Sequence, residues 1–169
     1  MIKILHNIGD KGTPNYNTRQ QVLDCNDVLT FDGVYKNVWE NRDVLKGKEV
    51  ILFIMGDYIG GNNDFDIKAP LNGALIYPED YCDWQQICEL VTMGCKLGWH
   101  TKSHRDLTKL NREELIKEIT PPFEMDYFAM PYGTYNNEVI EIIKQCGYKK
   151  AFSVYQTDGT EWTIPRTFI

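Results

Sequence analysis

Two of the chain's three histidines stand four residues apart in Gly98-Trp99-His100-Thr101-Lys102-Ser103-His104, directly after a short apolar run. On a helical turn that spacing puts both imidazoles on one side, where two neutral ring nitrogens can grip a zinc-like divalent cation. Surface or capping histidines give the same spacing, so the pair alone does not decide between them. Leu29-Thr30-Phe31-Asp32-Gly33-Val34-Tyr35 sets a carboxylate at the end of another apolar run and just ahead of a helix-type stretch. Asp32 is there either as the N-cap of that helix or as a general base that takes a proton from bound water. From Asp126 to Glu138 a strand-like segment passes through Pro131-Tyr132-Gly133 into a further helix-type stretch. Such a turn can aim a backbone N–H at a developing oxyanion, or can simply join a strand to a helix. The third histidine, His6, follows the first apolar run and by itself reads as a strand-end core or surface residue.

The elements that must position these residues alternate along the chain. Short β-type runs at Ile2–Leu5, Asp27–Phe31, Val50–Ile54, Lys96–Trp99, Tyr127–Met130, Lys149–Val154 and Trp162–Ile164 are interleaved with helix-type stretches. The helix candidates are Val34–Lys46, Asp83–Met93, Arg112–Ile119 and Tyr135–Cys146, and Gly47, Gly94 and Gly147 stand as stop signals after three of them. Glycine takes the left-handed backbone that closes a helix. Asn111 with Glu114 forms a capping-box start, and Pro121-Pro122 ends that helix. Gly60–Tyr81 is polar, with one apolar patch around Ala74–Tyr77, and reads as a long loop or small excursion.

This alternation predicts an α/β domain with a parallel sheet, occupying residues 1–169 as a single unit. A full eightfold barrel takes about 250 residues, so the expectation is a small, incomplete or distorted (β/α) barrel, with an open doubly wound sheet as the alternative. In either, ligand chemistry gathers at strand C-terminal ends. That rule selects Leu5–Asp10, Asp32–Tyr35, Met55–Tyr58, His100–His104 and Pro131–Tyr135.

The 18 Lys and Arg against 24 Asp and Glu leave a net charge of −6, with no basic cluster, which argues against a nucleic-acid partner. No apolar run is long enough to span a membrane, and Met1 to Asp10 lacks the pattern of a signal peptide, so a soluble, cytoplasmic protein is expected. Cys25, Cys82, Cys88, Cys95 and Cys146 have no metal or disulfide spacing and are expected to be buried, reduced thiols. Trp39 and Trp84 fall at helical core positions, while Trp99 and Trp162 lie on strands.

Taken together, the three motifs resemble the polysaccharide deacetylases, the NodB-like carbohydrate esterases. That family carries a Thr-Phe-Asp-Asp-Gly segment, a His-(Ser/Thr)-x-x-(Ser)-His segment and an Arg-x-Pro-Tyr-Gly segment in this order. Here they stand as Thr30-Phe31-Asp32-Gly33-Val34, His100-Thr101-Lys102-Ser103-His104 and Phe128-Ala129-Met130-Pro131-Tyr132-Gly133. The stretches after the histidines and after the turn also match, so the resemblance covers most of the chain. The start, with His6, and the ending Ile164-Pro165-Arg166 resemble the permuted subgroup typified by poly-N-acetylglucosamine deacetylases.

The resemblance implies a metal-dependent hydrolase that removes N-acetyl or O-acetyl groups from an acylated sugar or polysaccharide. In it, His100 and His104 would hold a divalent metal, zinc by preference, and Asp32 would act as the base. The Pro131-Tyr132-Gly133 turn would stabilise the oxyanion, and His6 would protonate the leaving amine. The family's second Asp, a metal ligand, falls on Gly33 here, and Asp10 and Asp57 are candidate replacements. The motif's Arg is absent from its place, and Arg166 is the candidate to orient the base. Two other readings stand beside the enzyme: a degenerate relative that binds carbohydrate or protein without turnover, and an α/β domain that holds no metal.

Overall fold

The computed structural model describes residues 1–11, 15–64, 77–154 and 157–169. Its main feature is an eight-stranded sheet in the order β10-β1-β4-β5-β6-β7-β8-β9, every neighbouring pair parallel. The strands are β1 (Ile2–Leu5), β4 (Val28–Asp32), β5 (Val50–Ile54), β6 (Lys96–Trp99), β7 (Tyr127–Ala129), β8 (Lys150–Ser153), β9 (Ile164–Pro165) and β10 (Thr167–Phe168). A separate parallel pair, β2 (Asn7–Ile8) with β3 (Tyr16–Asn17), lies just past β1.

The two outermost strands are halves of one C-terminal segment. Phe152 and Ser153 of β8 register with Ile164 and Pro165, while Lys3 and Ile4 of β1 register with Thr167 and Phe168. One stretch of chain therefore touches both edges and brings the sheet round into a nearly closed barrel. Arg166 is the residue between the halves. This excludes the open doubly wound alternative.

β5 shows why the strands form. Val50–Ile54 is buried along its whole length, as expected of a parallel strand covered on both faces. Its alternate residues divide between two cores: Ile51 and Phe53 join Ala129 and Phe152, while Val50, Leu52 and Ile54 join the larger cluster that packs against the helices. The helices are α1 (Arg19–Asp24), α2 (Lys36–Glu40), α3 (Trp84–Thr92), α4 (Arg112–Ile119) and α5 (Asn137–Gln145). On α5 the buried residues are Val139, Ile142 and Ile143, an apolar stripe of helical spacing. Among the described residues no helix is long and apolar enough to cross a membrane.

Several expectations need correction. The helix expected over Val34–Lys46 is α2 followed by a separate 3-10 turn at Arg42–Leu45. Asn41 stands between them, and its side-chain amide donates to the Asn37 carbonyl at 2.8 Å, which competes with continued helix. The last strand begins at Ile164 rather than Trp162. Helix α1 was not foreseen, although Thr18 and Gln21 form a complete capping box. Cys82 and Cys95 are buried, but Cys25 and Cys146 are half-buried and Cys88 is exposed. Trp84 is exposed rather than packed in the core: it is the first residue of α3, and its ring lies 6.1 Å from that of Phe123. Of the excursion expected over Gly60–Tyr81, residues 65–76 lie outside the described residues; its two ends meet in an antiparallel bridge of Asn62 with Asp80, and Tyr81 bridges to Tyr35 ahead of α2.

Candidate active site

Asp32 ends β4 on the barrel's inner side, and its carboxylate is met by Arg166, from the segment that closes the barrel. Arg166 donates from its two terminal nitrogens to the two oxygens of Asp32, at 2.6 and 2.9 Å. The same guanidinium donates to Thr30 Oγ1 at 3.2 Å and, through Nε, to the Ser153 carbonyl at 3.3 Å. It lies over the Phe53 ring and is 1% exposed. A planar, always charged fork suits such a buried, bidentate contact. Burial would raise the Asp32 pKa, but the Arg166 guanidinium beside it holds it well below the ordinary carboxylate range. The carboxylate is thus ionised and fixed in orientation. It caps nothing, since the N-cap of α2 is Tyr35.

His100 follows β6 and is buried, with its backbone N–H bonded to the Ile54 carbonyl at 2.8 Å. Its Nδ1 lies 2.8 Å from the Ala129 carbonyl. A carbonyl can only accept, so the proton sits on Nδ1 and Nε2 carries a lone pair. That Nε2 is 3.7 Å from Asp32 Oδ2. The His100 and His104 ring centroids are 4.9 Å apart. Burial lowers the pKa of both rings, and of His6, so all three favour the neutral form.

The pairing of the two rings is not made by a helical turn, as the spacing led us to expect. Residues 100–104 are non-helical, and Thr101 (φ 70°) and His104 (φ 57°) both adopt the left-handed conformation. Each such non-glycine residue costs roughly 1–3 kcal/mol and persists only where surrounding contacts over-determine it. Those contacts are present. The His104 N–H donates to Thr101 Oγ1 at 2.9 Å, and the Thr101 and Lys102 carbonyls accept from Gly56 and Asp57 N–H at 3.1 and 2.8 Å. Glu118, buried at the end of α4, accepts from both the N–H and the hydroxyl of Ser103.

His6 and Tyr132 complete the mouth. His6 follows β1, and its Nδ1 is buried without a hydrogen-bond partner among the described residues. Desolvation lowers its pKa, the Asp32 charge opposes that, and His100 and Arg166 add to the lowering, which sets it among the same charges as the base. Tyr132 lies in the 3-10 turn Pro131–Gly133 with φ 60°. Its ring stands edge-on to His104, 4.8 Å between centroids, and its hydroxyl donates to the His104 carbonyl at 3.1 Å. Gly133 is needed there: its φ is +68°, and a Cβ would come within 2.8 Å of the Val154 nitrogen.

Two imidazoles thus stand side by side, and the bond of His100 Nδ1 to the Ala129 carbonyl leaves its Nε2 as the acceptor nitrogen. Among the described residues a third protein ligand does not join them. Gly33 has φ +70°, and a Cβ on it would lie 2.8 Å from Met55 Cε and 3.0 Å from Tyr81 Cε1. Neither replacement candidate takes the place: Asp10 is exposed, and Asp57 is exposed and paired outward with Lys102 at 3.9 Å. Among the described residues no three His, Cys, Asp or Glu side chains converge as a metal-binding group. The donor set present fits a cation held by a histidine pair, not a three-ligand cage.

The residues that sequence reasoning did not single out are Thr30 and Ser153, which hold Arg166, and Glu118. Only Glu118 left a signal: on α4 it shares the buried face with Leu115 and Ile119, a charge at a position the helical pattern reserves for apolar side chains.

A sequence profile described as polysaccharide deacetylase matches residues 26–151. No curated protein sequence matches the chain. Among solved structures, the fold is similar to the Streptococcus pyogenes deacetylase PplD in complex with acetate, with a TM-score of 0.71 at 15% identity, covering 99% of this chain and 91% of that one. It is also similar to IcaB from Ammonifex degensii, with a TM-score of 0.66 at 17% identity over 99% and 91% of the two chains. A de-N-acetylase from Aggregatibacter actinomycetemcomitans gives a TM-score of 0.71 at 15% identity over 99% and 94%. At such identities these likenesses bear on the fold.

Proposed function

Since the chain belongs to the polysaccharide deacetylase family, whose members are hydrolases acting on carbon–nitrogen bonds, we propose that it removes N-acetyl or O-acetyl groups from an acylated sugar or polysaccharide. The observation that carries this reading is the convergence of an ionised, oriented carboxylate with a histidine pair at one end of the barrel: His100 Nε2 is 3.7 Å from Asp32 Oδ2.

In this proposal Asp32 takes the proton of the attacking water. Arg166 keeps both carboxylate oxygens in place, so the base spends no free energy on reorienting during the reaction. The Pro131-Tyr132-Gly133 turn faces the developing oxyanion beside His104. His6, once it has taken up a proton, hands it to the departing amine and returns to the neutral form that its burial favours. His100 and His104 would hold a divalent cation, zinc being suited to paired imidazole ligands. Such a cation, when bound, polarises the acyl carbonyl and acidifies water.

The test is acetate release from N-acetylglucosamine oligomers by zinc-loaded protein. Asp32→Asn should lower the rate by about 100-fold or more, the range set by removal of a general base. The closed space at Gly33 favours a second reading, a carbohydrate- or protein-binding module without turnover. Binding of the oligomers with no acetate release at any metal load would select it.

A further inference from the structure

We propose that Glu118 is a positioning residue whose carboxylate, by clasping Ser103, holds the turn that brings His100 and His104 together; this rests on the reading of those two histidines as the site pair. Local physics gives no reason for an acid there. Glu118 lies in the last turn of α4, where the carbonyl end of the helix dipole disfavours negative charge, and it sits on the helix's buried face between Leu115 and Ile119. It is only 5% exposed, yet among the described residues its carboxylate bonds to no Lys or Arg. Its two carboxylate oxygens instead accept from the N–H and the hydroxyl of one residue, Ser103, the former at 2.8 Å.

Ser103 lies between the two left-handed residues, Thr101 and His104, and within the segment that joins the two rings. The same end of α4 grips this segment a second time: the Glu118 carbonyl accepts from Trp99 Nε1 at 2.9 Å and from the Lys102 N–H at 3.0 Å. One helix terminus thus satisfies its own otherwise orphaned carbonyl while fixing the residues on either side of His100. The carbonyl fixes where the turn starts. The carboxylate fixes its far half, where His104 must fold back toward His100 against an unfavourable φ.

The chemistry of the clasp makes it testable by removing its acceptors. The carboxylate accepts from two donors at once, and a Met side chain of similar length accepts from neither. Glu118→Met should therefore release both Ser103 bonds while keeping side-chain length and the backbone grip. In metal-free protein, the NMR cross-peaks between the His100 and His104 rings should weaken in Glu118→Met, and zinc affinity measured by competition with a chelating dye should fall about 10–100-fold, as for other residues that orient metal ligands. Ser103→Ala, which leaves α4 untouched, should move both readouts in the same direction by less. The double variant should lose less than the product of the two single losses.

Unchanged ring cross-peaks in Glu118→Met overturn the proposal. Should that variant fail to fold, unchanged ring cross-peaks in Ser103→Ala do so. If the parent protein binds no zinc, the metal reading of the histidine pair fails by itself. The ring cross-peaks still decide on Glu118.

Discussion

Arg166 and Asp32 stand 134 residues apart in the chain and meet through two hydrogen bonds, at 2.6 and 2.9 Å, inside the barrel. The contact ties barrel closure to the state of the base, because Arg166 is the one residue between the two halves of the closing segment. A buried ion pair of this kind is costly to break on one side only.

Arg166→Met should therefore leave an uncompensated buried carboxylate and destabilise the fold by about 3–5 kcal/mol. Urea denaturation measures this. Adding Asp32→Asn to Arg166→Met should recover part of the loss, since the remaining polar group is neutral. A double variant less stable than Arg166→Met alone would contradict the assignment.

Restoring the family's acid at the next position should fail as a simple repair. Gly33→Asp puts a side chain on a residue with φ +70° and into the space of Met55 and Tyr81. We expect a loss of roughly 1–3 kcal/mol, the cost of a non-glycine residue in that conformation, read by thermal denaturation. Met55→Ala should relieve the crowding but not the backbone strain. If Gly33→Asp instead matches the parent in stability and gains zinc affinity, the pocket is more open than its neighbours indicate.

Zinc stoichiometry tests the histidine pair directly. After chelator treatment and reloading, the parent should hold close to one ion per chain, and His100→Ala should hold none. Exchange should be fast compared with enzymes that supply three protein ligands, because fewer bonds must break. Equal zinc content in parent and variant would remove the pair from consideration.

The stability of the fold should fall toward acid pH in part through Glu79. Burial works to raise its pKa, but bonds from Lys11 and Tyr16 hold it below the model-compound value of 4.5. A carboxylate depressed in the folded state contributes stability that is present above its unfolded value and is lost as pH falls through the folded one. Glu79→Gln should accordingly flatten the acid limb of denaturation free energy against pH below about 4.5. An identical slope in parent and variant would show that Glu79 contributes nothing to it.

The strands and helices were legible in the sequence to within a residue or two, apart from the break at Asn41, the short elements after His6 and the closing strand β10. Parallel strands buried on both faces are nearly continuous apolar runs, as in Val50–Ile54, and the Gly47, Gly94 and Gly147 stops take positive φ as their type suggests. The motifs also placed Asp32, His100, His104 and Tyr132 at strand ends. These are local facts, set by side-chain periodicity and by backbone freedom.

Other features depend on what meets what across the barrel. Arg166 was a candidate from the sequence, but its bidentate grip on Asp32 exists only because one segment bridges both sheet edges. The spacing of His100 and His104 suggested a helical turn, whereas the rings meet through two left-handed residues held by contacts from Gly56, Asp57 and Glu118. Gly33 reads as a missing ligand in sequence; only the structure shows that it takes φ +70° with Met55 and Tyr81 packed beside it. Sequence determined the elements because their causes lie within a few residues. Tertiary structure decided the site, because each of its decisive contacts joins residues that the chain keeps far apart.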